Sequence, residues 1–355
     1  MASKIQVGVV GIGFGQQVHV PAFQLNDRCQ VQAVCASTEE RAAEVAKRLQ
    51  VDRALGNWQA LVSDPAIDAI SIAVPPAAQT EIAIAAIAQG KAVFCEKPLA
   101  ISFAAAHKLA TSAEQAGVAN MVDFEFPEID EWQQAKTILD RGGVGSLRHI
   151  AVSWNVETYA NRMGLSSWKT CLEAGGGTLY SFVSHVFYYL EWFAGPIRRL
   201  TCSLFRPPGD TRSGDTLAAL CLELESGVAA SLSISSDSFL GNGHRVEFYG
   251  DAGTLVLNNP TADYVSGFQV LHGTRTSKQL ELVQLDRPAS TAIKDGRLVV
   301  VSRLVNRFVS WLETGVPAAP SFKDGLRVQH LLEAAKKSHD SGCWVDCLLS
   351  PNPLA

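Results

Sequence analysis

Long hydrophobic runs are absent from this sequence. No apolar stretch reaches the length needed to cross a bilayer, and the short apolar segment after Met1–Lys4 is too brief and wrongly flanked for a signal peptide. Long basic runs are absent too, and the formal net charge is −5, so no concentrated lysine and arginine surface is available for nucleic acid or an anionic membrane. We therefore expect a cytoplasmic protein with no nucleic-acid partner and no membrane partner.

The eight cysteines follow no metal-binding or disulfide pattern. They are scattered, and several lie inside apolar segments, as buried reduced thiols do. Cys343 and Cys347 are the nearest pair, but they have no histidine or cysteine partner group at metal-ligand spacing. We predict that the protein has no metal site.

Size and composition fit a folded protein of two domains. The chain has 355 residues, of which 47% are hydrophobic and 18% charged, and it contains no internal repeat or low-complexity segment. The pattern of elements changes near residue 124. We therefore predict a nucleotide-binding domain over residues 1–123 and a substrate-binding and oligomerisation domain over residues 124–355.

The chain opens with a strand, a glycine turn and a helix. Residues 5–10 are apolar, the turn reads Gly-Ile-Gly-Phe-Gly over residues 11–15, and residues 18–25 have a helical pattern. Glycines at such a turn let the backbone approach a pyrophosphate, whose charge the helix N-terminus then meets. The fingerprint is imperfect, because Gln16 stands where the third glycine is expected.

Alternating strands and helices follow this turn. The predicted strands are 31–36, 67–74, 92–95 and 118–124, and the predicted helices are 38–49, 80–89 and 103–115. Continuous apolar strands alternating with helices predict an α/β fold, a Rossmann domain with a doubly wound parallel sheet whose ligands bind at the carboxyl ends of the strands. The candidate cofactor-binding residues at those ends are Gly11, Ile12, Gly13, Phe14, Gly15, Ser37, Thr38, Arg41, Val74, Pro75, Glu96 and Lys97.

The end of the second strand bears on the choice between NAD and NADP. An acidic residue there binds the ribose 2′-hydroxyl of NAD, but this sequence has Ala36 at that position. Ser37, Thr38 and Arg41 are suited to a 2′-phosphate, so we favour NADP over NAD. Alternatively, Ser37 or Thr38 caps the following helix.

After residue 124 the chain becomes strand-rich. The predicted helices are 129–139, 178–193, 300–313 and 323–338, and the predicted strands are 147–156, 200–205, 217–224, 228–234, 245–249 and 254–257. Hairpin turns between these strands predict a C-terminal α+β domain with a large, mostly antiparallel open-faced sheet.

Two segments carry the candidate catalytic groups. Lys97 follows a buried strand in Glu96-Lys97-Pro98, and His185 lies on a helix that begins after three consecutive glycines at 175–177. Three glycines before a helix are costly unless the backbone passes close to something, for which a nicotinamide ring or a substrate is a candidate. Alternatively, Lys97 is a polar strand exit and His185 a core histidine in an aromatic helix.

Further residues are candidates for contact with a substrate. Asp123 and Glu125 follow the last strand of the first domain, where they would suit amino or polyhydroxy groups. The other candidates, which packing or solvent exposure explains equally well, are Trp154, Arg162, Trp168, Lys169, Tyr180 and Ser181.

These motifs together resemble the Gfo/Idh/MocA family of NAD(P)-dependent oxidoreductases. The glycine turn, Glu96-Lys97-Pro98 and the triple glycine with His185 carry the resemblance, and residues 324–328 and 342–345 extend it to nearly the whole chain. It implies a Rossmann domain followed by an open-faced sheet domain, through which a homodimer or homotetramer assembles. It also implies that Lys97 and His185 are catalytic.

The sequence departs from the family pattern at four places. The aspartate usually found four residues before the histidine is Ser181, the glycine two residues before it is Val183, and the usual histidine after the Pro-Pro turn is Gln79. Asp-Phe-Glu-Phe-Pro at 123–127 replaces an Asn-Arg-rich segment. The missing acid has therefore been moved to Asp123 or Glu125, or lost.

The resemblance implies hydride transfer between nicotinamide C4 and a secondary alcohol or ketone of a sugar, cyclitol or sugar derivative. In this reading His185 takes the hydroxyl proton and Lys97 stabilises the charge that develops on the oxygen, or the two roles are reversed. The alternatives are an NAD-dependent glycosidase, a non-enzymatic sensor that binds the dinucleotide, and an enzyme of the biliverdin-reductase type.

Overall fold

The protein, described by a computed structural model over residues 4–285 and 293–348, divides into two compact units. The first unit consists of residues 1–125 and 292–329, and the second of residues 126–291 and 330–355. The sequence placed the boundary at 123/124 and assigned residues 292–329 to the second domain. The structure differs on both points.

The first unit contains a six-stranded parallel sheet in the order β3-β2-β1-β4-β5-β6. Its strands are β1 (Ile5–Val10), β2 (Cys29–Cys35), β3 (Arg53–Leu55), β4 (Ala69–Ile72), β5 (Ala92–Cys95) and β6 (Asn120–Val122). Its helices up to residue 125 are α1 (Val20–Gln24), α2 (Glu39–Leu49), α3 (Trp58–Val62), α4 (Pro76–Ala88) and α5 (Phe103–Ala116). This order is that of a Rossmann sheet, which confirms the predicted fold class.

The central strands form because they are continuously apolar. Every residue of β4, β5 and β6 is buried, as expected for parallel strands covered by helices on both faces. The sequence analysis missed β3 and α3, which are three and five residues long. Segments this short show no periodicity that distinguishes them from a loop.

Helix α9 (Gly296–Thr314) belongs to the first unit because it covers that unit's aromatic core. The Phe308 ring packs edge-on against Phe23 at 6.2 Å and against Phe94 at 5.7 Å. Further along the chain, the Val122 amide donates to the Pro320 carbonyl oxygen at 2.9 Å. Burial of these rings, which lie far apart in sequence, explains why residues 292–329 join the first unit.

The second unit contains a nine-stranded sheet in the order β14-β13-β12-β11-β7-β10-β9-β8-β15. Its strands are β7 (Leu147–Asn155), β8 (Ile197–Phe205), β9 (Leu217–Leu224), β10 (Ala229–Ser235), β11 (Gly243–Gly250), β12 (Gly253–Asn259), β13 (Gln269–Thr274), β14 (Glu281–Leu282) and β15 (Val345–Asp346). Neighbouring strands are antiparallel except β7 and β10. The predicted open-faced sheet is confirmed, although β13, β14 and β15 were not predicted.

The helices of this part of the chain are α6 (Asp130–Asp140), α7 (Tyr159–Arg162) and α8 (Ser184–Ala194), and α10 (Phe322–Ser341) runs from the first unit into the second. Along β10, Ala230, Leu232 and Ile234 are buried whereas the alternate residues are exposed until Ser235, so one face packs and the other stays open. Within the described residues, no helix is both long and apolar enough to cross a membrane.

Candidate functional site

The glycine turn after β1 forms a close-packed, partly open loop at the carboxyl edge of the first sheet. Gly11 has a φ of +103°, and a side chain there would overlap the Ala73 carbonyl oxygen. A Cβ on Gly13, in contrast, would meet no described atom within 4 Å. The loop therefore packs tightly on one side and leaves backbone accessible on the other, as a dinucleotide pyrophosphate requires.

The loop continues into a single π-helical turn, Gly15–His19, that leads directly into α1. The sequence analysis predicted one helix over 18–25 and did not single out His19. A π-turn widens the helix by one residue and is frequent at functional sites. Here it ends on a histidine whose ring is fully buried.

The residues after β2 form a small polar group. Thr38 is the N-cap of α2, and its hydroxyl accepts the Arg41 amide at 3.4 Å. The Arg41 guanidinium donates to the Ser37 hydroxyl at 2.9 Å, and both side chains are exposed. Thr38 therefore caps the helix, as the alternative interpretation held, whereas Ser37 and Arg41 form a polar pair at the strand end.

Val74 and Pro75 follow β4 at the same edge of the sheet. Pro75 is the N-cap of α4, and Val74 lies beside the glycine turn, where its Cγ1 would be 3.0 Å from a Cβ on Gly11. The two residues thus pack the turn from the side of the neighbouring strand.

A buried glutamine holds the loop that carries Lys97. The Gln79 amide nitrogen donates to the carbonyl oxygens of three loop residues, at 2.7 Å to Glu96, 3.1 Å to Pro98 and 3.1 Å to Leu99. The Lys97 amide in turn donates to the Glu96 side chain at 3.1 Å. These bonds fix the backbone on both sides of Lys97, so Gln79 at the position of the family's usual histidine has a positioning role.

His19 links the carboxyl ends of three neighbouring strands. Its Nδ1 lies 2.8 Å from the Ser71 hydroxyl on β4, and its Nε2 lies 3.2 Å from Glu96 Oε1 and 3.3 Å from Asp123 Oδ2. The Phe14 and Phe94 rings pack edge-on against the imidazole at 5.6 Å and 5.2 Å. A buried imidazole between two carboxyl groups is therefore the centre of this edge.

The environment of His19 decides its charge. Burial by itself lowers the pKa of His19, but the contacts with Asp123 and Glu96 outweigh burial and raise that pKa to about 9. Burial raises the pKa of Asp123 to about 6, against the lowering influence of His19 and Lys97. Burial, and next the charge of Asp123, raise the pKa of Glu125 well above its ordinary value. At neutral pH, His19 is therefore a cation and Asp123 largely a carboxylate, whereas burial favours the neutral form of Glu125.

His19, Glu96 and Asp123 also offer three potential metal ligands, whose nearest atoms lie within 4.8 Å of one another. The sequence analysis predicted no metal because it considered only the cysteines. A proton on Nε2 explains the 3.2 and 3.3 Å separations as charge-assisted contacts to the two carboxyl groups. We therefore describe this set of residues as an ion cluster.

In the second unit, two of the three glycines at 175–177 pack against the protein's own chain. A Cβ on Gly176 would overlap the carbonyl oxygen of Trp168, and one on Gly177 would overlap the Asp215 carboxylate. Asp215 Oδ2 accepts the Leu179 amide at 2.9 Å, so this buried carboxylate caps the start of the helix. Contacts within the unit thus account for Gly176 and Gly177, for which the sequence analysis offered a nicotinamide ring or a substrate as the cause.

A second π-helical turn, Leu179–Val183, precedes α8 and His185. It changes the helical period, so Thr178, Ser181 and His185 do not form a single stripe along a regular helix. Thr178 bonds the Ser236 hydroxyl at 2.7 Å within the interior. His185 is buried and meets the Phe126 ring edge-on at 4.9 Å.

His244 on β11 lies beside this segment and was missed by the sequence analysis. Its ring stacks on Trp154 at 4.2 Å, and its Nε2 bonds the Tyr189 hydroxyl at 3.0 Å. Burial lowers the pKa of His244 to about 3, so the ring is neutral. Trp154 is therefore part of an aromatic core, as the packing alternative held.

The remaining substrate candidates in the second unit divide by exposure. Tyr180 is buried, with Lys336 Nζ 6.0 Å from its ring, and Ser181 is half-buried. Arg162, Trp168 and Lys169 lie in an exposed segment, and Lys169 Nζ approaches the Trp168 ring at 5.7 Å. Tyr180 thus packs in the interior, whereas these three side chains are accessible.

Comparison with known proteins identifies the family. The family model described as "Oxidoreductase family, NAD-binding Rossmann fold" matches residues 5–124, and the "GFO/IDH/MocA C-terminal domain" model matches residues 132–256. The chain belongs to the Gfo/Idh/MocA oxidoreductase family. The predicted family and the predicted enzyme class, an NAD-dependent oxidoreductase, are thereby confirmed.

Similar proteins align with the chain over nearly its whole length. An uncharacterised oxidoreductase of Synechocystis is 34% identical over 96% of both chains. Myo-inositol 2-dehydrogenase of Thermotoga maritima is 23% identical over 94% of this chain and 96% of that protein. A levoglucosan dehydrogenase solved with NADH and levoglucosan has the same fold, with a TM-score of 0.86 at 20% identity over 97% of this chain and 100% of that one.

Proposed function

We propose that this oxidoreductase transfers hydride between a nicotinamide cofactor and a secondary alcohol or ketone of a sugar, cyclitol or sugar derivative. The observation that carries the proposal is the carboxyl edge of the first sheet, where the open glycine turn after β1 and Lys97 after β5 lie on the same side. Similarity to a myo-inositol dehydrogenase supports a polyhydroxy substrate.

The residues at the carboxyl edge of the first sheet, and His185 in the second unit, have different roles in this proposal. Gly11, Gly13 and Gly15 form the loop that holds the pyrophosphate of the cofactor. The nicotinamide of the bound cofactor would accept or return the hydride. Lys97 donates to the reacting oxygen and stabilises its developing charge. His185 is the proton acceptor, by its match to the family's histidine.

Kinetics of two variants test these roles. We expect Lys97→Ala and His185→Ala each to reduce kcat/KM by at least about 100-fold on a polyol that the wild type oxidises, since each removes a charge or proton transfer from the transition state. The substrate is sought by following NADH and NADPH absorbance with a panel of cyclitols, anhydrosugars and hexoses. Lys108→Ala removes an exposed side chain of α5 and serves as the control, which should retain full activity. Turnover within a few-fold of wild type in both variants would refute the assignment.

We further propose that the protein prefers NADP to NAD. Ala36 leaves the 2′-position without an acid, and the exposed Ser37–Arg41 pair offers a hydroxyl and a guanidinium to a 2′-phosphate. The Arg41 guanidinium suits a phosphate because it donates two parallel hydrogen bonds.

Fluorescence titration with both reduced cofactors tests the preference. Arg41→Ala should weaken NADPH binding by about 10-fold and leave NADH binding within about twofold, because one charge-assisted contact to phosphate is lost. Arg48→Ala, on the last turn of the same helix, is the control. Tighter binding of NADH than NADPH by the wild type would be incompatible with the preference.

A further inference from the structure

Helix α9 brings an arginine to the glycine turn of the first unit. Arg297 is the second residue of α9, and its guanidinium carbon lies 5.8 Å from the centre of the Phe14 ring, within the range of a cation–π contact. Phe14 stands between Gly13 and Gly15 in the turn after β1. A cation beside this ring therefore lies close to the backbone amides of the turn.

The turn itself has no positive side chain to offer a pyrophosphate. Residues 11–16 read Gly-Ile-Gly-Phe-Gly-Gln, and none of them is charged. Backbone amides bind the phosphate oxygens of a dinucleotide, but their partial charges leave much of the negative charge of the phosphates uncompensated. A guanidinium beside the turn would supply positive charge, and its fork of N–H groups matches phosphate oxygens.

Arg297 is held in this fork geometry by Asp295. Its Nε donates to Asp295 Oδ1 at 3.0 Å and its Nη2 donates to Oδ2 at 2.7 Å, which makes a bidentate pair. Asp295 also caps α9, because its Oδ1 accepts the Arg297 amide at 3.1 Å. The side chains of Arg297 and Asp295 are 31% and 34% exposed, so the pair is accessible to a ligand at the turn.

A phosphate and the Asp295 carboxylate would compete for the same guanidinium. Both are anions that accept two parallel hydrogen bonds from an arginine. The pair is partly exposed, and ion pairs in such places contribute little to stability, so the exchange of one anion for the other costs little. In the free protein, the carboxylate keeps the guanidinium beside Phe14 and offsets its charge.

We propose that Arg297 is a further cofactor-binding residue, whose guanidinium binds the pyrophosphate of the dinucleotide beside Phe14, and that Asp295 weakens this binding by competing for the guanidinium. The inference rests on the proposed function only in that a nicotinamide dinucleotide binds at the glycine turn. Because NADH, NADPH and ADP-ribose share the pyrophosphate, Arg297 contributes equally to the binding of all three. Arg41, in contrast, is assigned to the 2′-phosphate, which NADPH alone carries.

Calorimetric titration of the purified protein with NADH, NADPH and ADP-ribose tests the role of Arg297. We expect Arg297→Ala to weaken the binding of each ligand by about tenfold or more, because a charge-assisted contact is lost and the Asp295 charge is left near the phosphates. Lys294→Ala is the matched control. It removes the same charge from an exposed position of the same segment, and binding should stay within about twofold of wild type because solvent and salt screen that charge.

The variant Asp295→Asn separates competition from a structural role. Asparagine is as good an N-cap as aspartate, so α9 keeps its cap while the charge that opposes the phosphates is removed. We expect Asp295→Asn to tighten the binding of all three ligands by about threefold or more. If the pair served only to hold α9 in place, Arg297→Ala and Asp295→Asn would change binding in the same direction.

Four results would overturn the inference. The first is binding by Arg297→Ala within about twofold of wild type, with Arg297→Gln as the replacement variant if the alanine protein does not fold. The second is a loss confined to NADPH, which would assign Arg297 to the 2′-phosphate. The third is an equal loss in Lys294→Ala, and the fourth is an Asp295→Asn protein that fails to bind more tightly.

The same titrations distinguish failure of this inference from failure of the proposed function. A wild-type protein that binds none of the three ligands would refute both. Wild-type binding that the Arg297 variants leave unaltered would refute the inference alone.

Discussion

At the scale of single residues, two buried histidines show how surroundings set charge. His19 lies between Glu96 and Asp123, whose contacts outweigh burial and raise its pKa to about 9. His244 stacks on Trp154, and burial lowers its pKa to about 3. The same side chain is therefore a cation in one unit and neutral in the other.

We predict opposite pH dependence for these two histidines. The stabilisation of the fold by protonated His19 is complete below about pH 6.5 and disappears as the pH rises through about 9. The stabilisation by neutral His244 is complete above about pH 6.5 and disappears as the pH falls towards about 3. These contributions are on the order of 3 kcal/mol for His19 and on the order of 5 kcal/mol for His244. At about pH 7.5, ¹⁵N NMR should show two ring protons on His19 and one on His244. His19→Gln and His244→Gln assign the signals, and a neutral His19 would contradict the prediction.

At the scale of elements, the segment from Gly11 to His19 and the segment from Gly177 to His185 each combine tightly packed glycines with a π-helical turn. Gly11 packs on Ala73 before the turn Gly15–His19, and Gly177 packs on Asp215 before the turn Leu179–Val183. In each case the turn leads to a buried histidine. The glycines are required because backbone or a carboxylate occupies the space of a side chain, in addition to the positive φ.

A comparison of two glycines separates these causes. Gly177 and Gly195 flank the helical segment that carries His185, with φ of +94° and +88°, but only Gly177 has described atoms in the space of a Cβ. Both alanine variants incur backbone strain of about 1–3 kcal/mol. We expect Gly177→Ala to lose at least about 2 kcal/mol more of the free energy of unfolding, because it also displaces the Asp215 cap. Equal losses in urea titrations would show that strain alone matters.

At the scale of the whole molecule, the units are not consecutive pieces of the chain. Residues 292–329 return to the first unit, where Phe308 completes a cluster with Phe23 and Phe94. Folding of the nucleotide-binding unit therefore depends on a segment nearly two hundred positions beyond its sixth strand.

Phe308→Ala tests this dependence. Removal of a fully buried aromatic ring should cost about 3–5 kcal/mol and should loosen the first unit selectively. Hydrogen exchange followed by mass spectrometry should show lost protection in β1, β4 and β5 and unchanged protection in β9 and β10. Ser310→Ala, an exposed position on the same helix, is the control. Lost protection mainly in the second sheet would contradict the assignment of α9.

The carboxyl ends of the strands show how much of the candidate site could be predicted from the sequence. Continuous apolar strands and the glycine turn predicted the parallel sheet, and chain direction alone then put Gly11, Lys97 and Asp123 at one edge. The relation of His19 to Glu96 and Asp123 had no sequence signal of its own, because 77 positions separate the histidine from the glutamate. Its place directly after the glycine turn was the one hint available.

The sequence by itself determined the two sheets, the family and the edge at which we propose that the cofactor binds. Those properties follow from local periodicity, turn residues and strand direction, which residues close together in the sequence determine. Only the tertiary structure decided the charge of His19, the burial of Asp123 and Glu125, the partners of Gly176 and Gly177, and the place of residues 292–329. These depend on groups distant in sequence, because burial and electrostatic fields are properties of the packed fold.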